Sequence, residues 1–266
     1  MEAKKIALLV PVCSRGQSYT DLSSTAFYKT LLPSFIKNCE PNYVYKFFIG
    51  YDSSDKFYTD ERMAKMTNKT NMTNMINMTN MIQQNSVIMF DKKFEIKTIK
   101  LEGCEHKPAV AWNILFKAAI AEDFDYYYQI GDDVIMETLW TSAFIDVLEK
   151  NENIGVVGGC HALNYYMRYN ANKPAVIENA FVHKTHYHIF GTFFENSINN
   201  WFCDDWITEI YKPNYSTHLL GVTVNNTVTD NRYNIQNIGH LIAGLIIKGK
   251  KQFIRYNLEK KRVPII

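Results

Sequence analysis

Hydrophobic positions come first in a run, then in stripes. Lys5–Val12 (KIALLVPV) is almost unbroken apolar and ends at a Pro and a polar turn, the pattern of a strand buried on both faces. Ser24 to Ile36 carries Phe27, Leu31, Leu32 and Phe35 at spacings of three and four, which predicts a helix. Tyr43–Tyr51 (YVYKFFIGY) predicts a second strand, running into Asp52-Ser-Ser-Asp55. Phe94–Leu101 alternates as a third. Pro108 opens a helix to Ala121 with Val110, Ala111, Ile114, Leu115 and Ala118 on one stripe. Tyr126–Ile130 (YYYQI) is a strand that stops at Gly131-Asp132-Asp133. Leu139–Glu149 reads as a helix and Gly155–Cys160 as a strand with a turn. Strands alternating with helices predict an α/β fold, a mostly parallel central sheet flanked by helices. The later chain is less regular: a helix within Ile198–Tyr211, a strand over Leu219–Val224 and a helix over Ile238–Ile247.

Residues 66–82 break this order. NMTNMI occurs twice in succession, and a period of three suits neither helix nor strand, so the stretch reads as a low-complexity surface insertion. No linker separates the rest. The expectation is one domain over 1–266, with a ligand-binding half to about residue 135 and a second half from 136.

Composition removes several classes. The 266 residues can bury a substantial core. A net charge of +2 gives no strong global attraction to nucleic acid or to an anionic membrane. The most apolar runs, Ile6–Val12 and Leu241–Ile247, are too short to cross a bilayer. The start, Met-Glu-Ala-Lys-Lys, lacks a small-residue cleavage site, so no signal peptide is expected. Five cysteines lie far apart with no CxxC, which argues against a disulfide framework or a zinc knuckle and for a reducing, cytoplasmic setting. Sequons such as Asn71-Met-Thr and Asn225-Asn-Thr then carry no meaning.

The chemistry points to YYYQIGDDV, residues 126–134. A buried strand delivers two adjacent carboxylates, Asp132 and Asp133, at its carboxyl end, the edge where open α/β sheets bind ligands. Adjacent like charges repel unless a cation sits between them, and Mg²⁺ or Mn²⁺ takes oxygen ligands shared with substrate phosphates. The plainer reading is a Gly-Asp-Asp turn. A second acidic pair, Asp204 and Asp205, lies in NNWFCDDWITEIY between Trp201 and Trp206, where a helix N-cap is the plain reading. His183, His186 and His188 cluster locally; as a strand, His186 and His188 would share a face, although no Cys or carboxylate nearby completes a zinc site.

Strand-loop KIALLVPVCSR, strand-acid FFIGYDSSD, helix PAVAWNILFKAAI and strand-acid YYYQIGDDV together resemble the nucleotide-sugar-binding half of GT-A glycosyltransferases, especially the family-2-like ones, over most of residues 5–135. The resemblance implies a Rossmann-like GT-A fold with an acceptor-binding C-terminal half. It also implies transfer of a sugar from a nucleotide-diphosphate donor, here expected to be UDP-linked, to a hydroxyl on a glycan or glycoprotein. By the same resemblance, Asp132 and Asp133 hold a divalent metal and the donor diphosphate, although the family's usual motif is Asp-X-Asp and this chain has Gly-Asp-Asp. Pro11 and Arg15 would lie over base and ribose, Asp52 would accept from the base, and Lys107 would reach a base or phosphate. Asp205, with Asp204 second, would be the general base of an inverting reaction. A late His, either His218 or His240, would add a metal ligand, and Arg232-Tyr233 would close over the diphosphate. Two other readings stand beside this one. A nucleotidyltransferase would use the same carboxylates, but the chain has no Gly- and Lys-rich phosphate loop. A non-catalytic carbohydrate-binding protein would use the 14% aromatic content.

Overall fold

The computed structural model describes residues 2–14, 16–67, 94–160, 175–227 and 237–262. Their elements run β1 (Lys5–Val12), α1 (Leu32–Asn38), β2 (Val44–Asp52), α2 (Asp60–Met66), β3 (Phe94–Leu101), α3 (Pro108–Ile120), β4 (Tyr126–Gln129) and β5 (Val134–Met136). Then follow α4 (Thr141–Lys150), β6 (Val156–Cys160), β7 (Phe181–His183), α5 (Thr185–Phe190), α6 (Cys203–Tyr211), β8 (Ser216–Asn226) and α7 (Gly239–Arg262). The low-complexity stretch from residue 68 onward and the sequon at Asn71 lie outside the described residues.

The strands form one sheet in the order β3-β2-β1-β4-β7-β6-β8-β5. β1 pairs in parallel with β2 on one side and β4 on the other, and β2 with β3. β7 enters antiparallel between β4 and β6, and β5 is antiparallel to β8, so the predicted parallel order holds for the first half and is interrupted in the second. β1 shows why its sequence is apolar throughout. Ile6, Leu8, Val10 and Val12 enter one core with Phe35 of α1 and Phe144 of α4. Ala7 and Leu9 enter the other, with Phe116 of α3 and Trp206 and Ile210 of α6. Each fully buried aromatic contributes roughly 1.5–3 kcal/mol, so the high aromatic content is mainly core.

The predicted helix from Ser24 to Ile36 divides. Phe27–Leu31 is a π-helical turn and Leu32–Asn38 is α-helical. Pro33 lacks an N–H and its ring crowds the carbonyl four residues back, which breaks the α-helical ladder there. The final helix runs on from Ile247 to Arg262, well past the predicted end. His183 ends β7, whereas His186 and His188 lie on α5, a helix and not a strand. His186 is sealed in the core, its ring nitrogens bonded to Tyr211 Oη and the Phe193 carbonyl, both at 2.9 Å. No helix among the described residues is long and apolar enough to cross a membrane.

Candidate active site

β1, β2 and β4 run parallel, so their carboxyl ends share one edge of the sheet. Three segments leave that edge: Cys13-Ser14 after β1, Ser53–Asp55 after β2 and Gly131-Asp132-Asp133 after β4. They are fastened together. The Ser14 amide donates to Asp55 Oδ2 at 2.7 Å, and the other oxygen of Asp55 accepts from the amides of Phe57 and Tyr58. The Trp112 indole N–H, on α3, is shared between the carbonyls of Leu9 (3.2 Å) and Ile130 (3.3 Å), which holds the ends of β1 and β4 side by side.

Asp132 and Asp133 follow β4 as the sequence implied, and both are almost fully buried (1% and 3% exposed). Buried carboxylates need compensating partners. The backbone around them is pinned: the Asp133 carbonyl accepts from the amide and hydroxyl of Thr227, just past β8, at 3.1 and 3.0 Å. A Cβ on Gly131 would come within 2.7 Å of Asp133 Oδ1, so the glycine leaves the space that this carboxylate occupies. Tyr58 is buried within the electrostatic reach of Asp132. Burial pushes its hydroxyl well above the usual tyrosine range, and the charge of Asp132 raises it further. Nothing in the motif pattern marks Tyr58, Thr227 or Trp112 as belonging here; only the strand register brings them in.

Asp52 ends β2 and is half-buried. Its Oδ1 accepts from the Ser54 amide and hydroxyl at 2.9 and 2.7 Å, and its Oδ2 from the Cys104 amide at 2.6 Å. Burial alone would raise its carboxyl, but these hydrogen bonds outweigh it and hold the group below the usual carboxylate range. Asp52 thus forms a turn, with its carboxylate fixed between the ends of β2 and β3. Pro11 lies in β1 opposite Gly50 and is partly exposed. Lys107 is the exposed residue preceding α3, its ammonium 3.2 Å from the Gly103 carbonyl. Arg15 and Arg232-Tyr233 lie outside the described residues.

The segment that leads to the second acidic pair is tied to the start of α3. Asn199 O accepts from the Ala109 amide, in the first turn of α3, at 3.0 Å, and Asn200 Nδ2 donates to the His106 carbonyl. The chain then turns through Phe202, whose φ of +75° is uncommon for a bulky residue, and enters α6. Phe202 is the N-cap and makes no side-chain capping bond. Asp204 and Asp205 instead occupy the first turn, half-buried, so the plain capping reading of this pair does not hold. Trp206 is core, bonded to the Leu245 carbonyl of α7, whereas Trp201 is 41% exposed.

The two late histidines part company. His240 is exposed in the first turn of α7, beside Gly239, which faces the Phe202 ring. His218 pairs with Gly158 near the start of β8, while Thr227 beyond the other end meets Asp133; the strand between them spans roughly 20 Å or more. Among the described residues, no group of three His, Cys, Asp or Glu side chains is arranged to hold a metal by itself.

No protein-family model matches the chain, and no curated protein matches it in sequence. Solved structures do share its architecture. Residues 1–349 of S. aureus TarS in complex with UDP align with a TM-score of 0.53 and 13% identity, over 92% of this chain and 65% of that one. The same protein in complex with UDP-GlcNAc aligns with a TM-score of 0.56 and 12% identity, over 92% and 66%. A longer S. aureus TarS structure gives 0.52 and 12%, over 98% of this chain and 46% of that one. This chain therefore spans less than two thirds of each of these TarS chains. At such identities the likeness is one of fold, and the fold is the one anticipated above: a mixed α/β, mostly parallel sheet flanked by helices.

Proposed function

We propose that the chain is a glycosyltransferase that moves a sugar from a UDP-linked donor to a hydroxyl-bearing glycan or glycoprotein acceptor, with inversion at the anomeric carbon and with Mn²⁺ or Mg²⁺. The observation that carries this reading is the buried acidic pair Asp132/Asp133 at the carboxyl end of β4, in a fold shared with structures that hold UDP and UDP-GlcNAc.

The pair suits a divalent cation. It offers two carboxylates, and Gly131 leaves room for one of them. Mg²⁺-type ions commonly take one or two carboxylates and complete their shell with substrate phosphates and water, so a third protein ligand is not required. Of the late histidines, His218 lies far along β8 from the Thr227 contact, which leaves His240 as the remaining candidate. Such a cation, when bound, neutralises charge on the departing diphosphate. The protein's own groups do the remaining work in this reading. Asp52, fixed and ionised, accepts from the base; Pro11 and Arg15 flank base and ribose; Lys107 faces the donor from the start of α3. Asp205, with Asp204 beside it, takes the acceptor proton as the acceptor oxygen bonds to the anomeric carbon and the sugar–phosphate bond breaks.

Ligand-dependent melting tests this. A ligand that binds only the native state raises the midpoint, so UDP-GlcNAc or another UDP-sugar with Mn²⁺ should raise it more than either alone. In Asp133→Ala and the milder Asp133→Asn the metal's share should vanish while the sugar nucleotide alone still shifts the midpoint. Equal shifts in wild type and both variants would remove Asp133 from the metal site. Turnover of a nucleoside triphosphate with pyrophosphate release would favour nucleotidyl transfer instead.

A further inference from the structure

Charge is distributed very unevenly along this chain. The last helix, α7, carries seven Lys and Arg against one Glu, a net +6, whereas the chain as a whole is only +2. Everything outside α7 is thus net negative. One face of α7 is committed to the core: Gly249 and Phe253 are buried, with Trp206 and Ile210 of α6 within contact of the former and Tyr211 and Tyr215 against the latter. The opposite face is open. Ile247, Ile254 and Leu258 are 55%, 57% and 51% exposed and, at steps of seven and four, stand in one row. Lys248, Lys251 and Arg255, at steps of three and four, form an adjoining row and line a shallow surface depression with Gly244, Ile247 and Gln252. Two acids face these cations: Glu195 lies 3.2 Å from Lys248, and Glu259 lies 2.8 Å from Arg255. The Arg255–Glu259 pair is exposed, and exposed pairs are weak and exchange readily for other anions, whereas Lys248 meets a largely covered carboxylate.

An apolar row with a basic row beside it, on a helix too charged to span a bilayer, is the physical signature of a helix lying in a membrane interface. We propose that the outer face of α7 seats the protein on an anionic phospholipid surface, with Ile247, Ile254 and Leu258 entering the acyl boundary and Lys248, Lys251 and Arg255 meeting headgroup phosphates. The overall charge of +2 conceals this, because attraction to a surface acts within a Debye length and depends on the local cluster. A second copy of this chain is disfavoured as the occupant, since two such rows would bring like charges together.

Vesicle flotation tests the proposal, using vesicles of phosphatidylglycerol with phosphatidylcholine and vesicles of phosphatidylcholine alone. Wild type should bind the acidic vesicles at low salt at least about tenfold more tightly than the neutral ones, and high salt should reduce the difference. The variants Ile247→Asp/Ile254→Asp and Lys248→Gln/Lys251→Gln/Arg255→Gln should each lose that preference while keeping the wild-type melting midpoint and UDP-sugar response, because the altered side chains are exposed. No binding to acidic vesicles, or variants that bind like wild type, would overturn the proposal. So would a wild-type dimer in sedimentation velocity that the Asp variant abolishes while vesicles remain unbound.

Discussion

Asp205 offers the most direct test of the chemistry. It sits in the first turn of α6 without serving as the cap, so its replacement should cost activity more than stability. Asp205→Asn should lower kcat by about 10²–10⁴-fold, the range of a positioned general base, and leave the KM for the UDP-sugar nearly unchanged. Asp204→Asn should have a smaller effect. Initial-rate kinetics on the two variants measures this; a loss confined to donor KM would move Asp205 to the donor side. At this scale the sequence was informative where a motif ends a strand. The Gly-Asp-Asp after YYYQI lies at the strand end, as its apolar run implied. Tyr58 was invisible, because nothing in DSSDKFYTD marks which aromatic will come within the field of Asp132.

Among the elements, the long periodic ones were legible and the short ones were not. β5 and β7 have three residues each, too few to show an alternation. α5 was concealed by its histidines, which alternate in sequence but wind through a single helical turn and a half. The end of α7 was misread for a physical reason. Gly249 followed by Lys250 and Lys251 looks like a helix stop, yet this glycine is buried, and a Cβ there would come within 2.6 Å of Ile210 Cγ2. It is present so that two helices can touch.

α5 also carries a pH prediction. Burial holds the His186 imidazole down to about 4 from an ordinary 6.5, and the accepting Phe193 carbonyl only partly offsets this. His183 is lowered to about 4 as well, again chiefly by burial. Below pH 6.5 the unfolded chain takes up protons that the folded chain refuses, so stability should fall as pH drops from about 6.5 to about 4 and be fully present above that window. Urea midpoints across this range, together with an NMR titration of the His186 ring, check it. A ring midpoint near 6.5 would contradict its sealed position.

For the molecule as a whole, the sheet decides what folds with what. β4, from the first half, is bonded to β1 on one edge and to β7 on the other. The core beneath Ala7 and Leu9 is completed by Trp206, Ile207 and Ile210. A fragment of residues 1–135 would expose both an unpaired strand edge and an apolar face, which favours aggregation over an isolated fold. We therefore expect it to be insoluble, or without dispersed amide signals; a cooperatively melting fragment would establish two separate domains. This mutual completion was the least legible part of the sequence, since it rests on β7 arriving antiparallel in mid-sheet, which no local pattern encodes.

The bond from the Ala109 amide to the Asn199 carbonyl has a consequence for how such a chain can diversify. Both partners are peptide groups, so this bond does not depend on which side chains are inherited at these positions, proline at 109 excepted. The exposed Trp201 can therefore change without loss of this tie between its segment and α3.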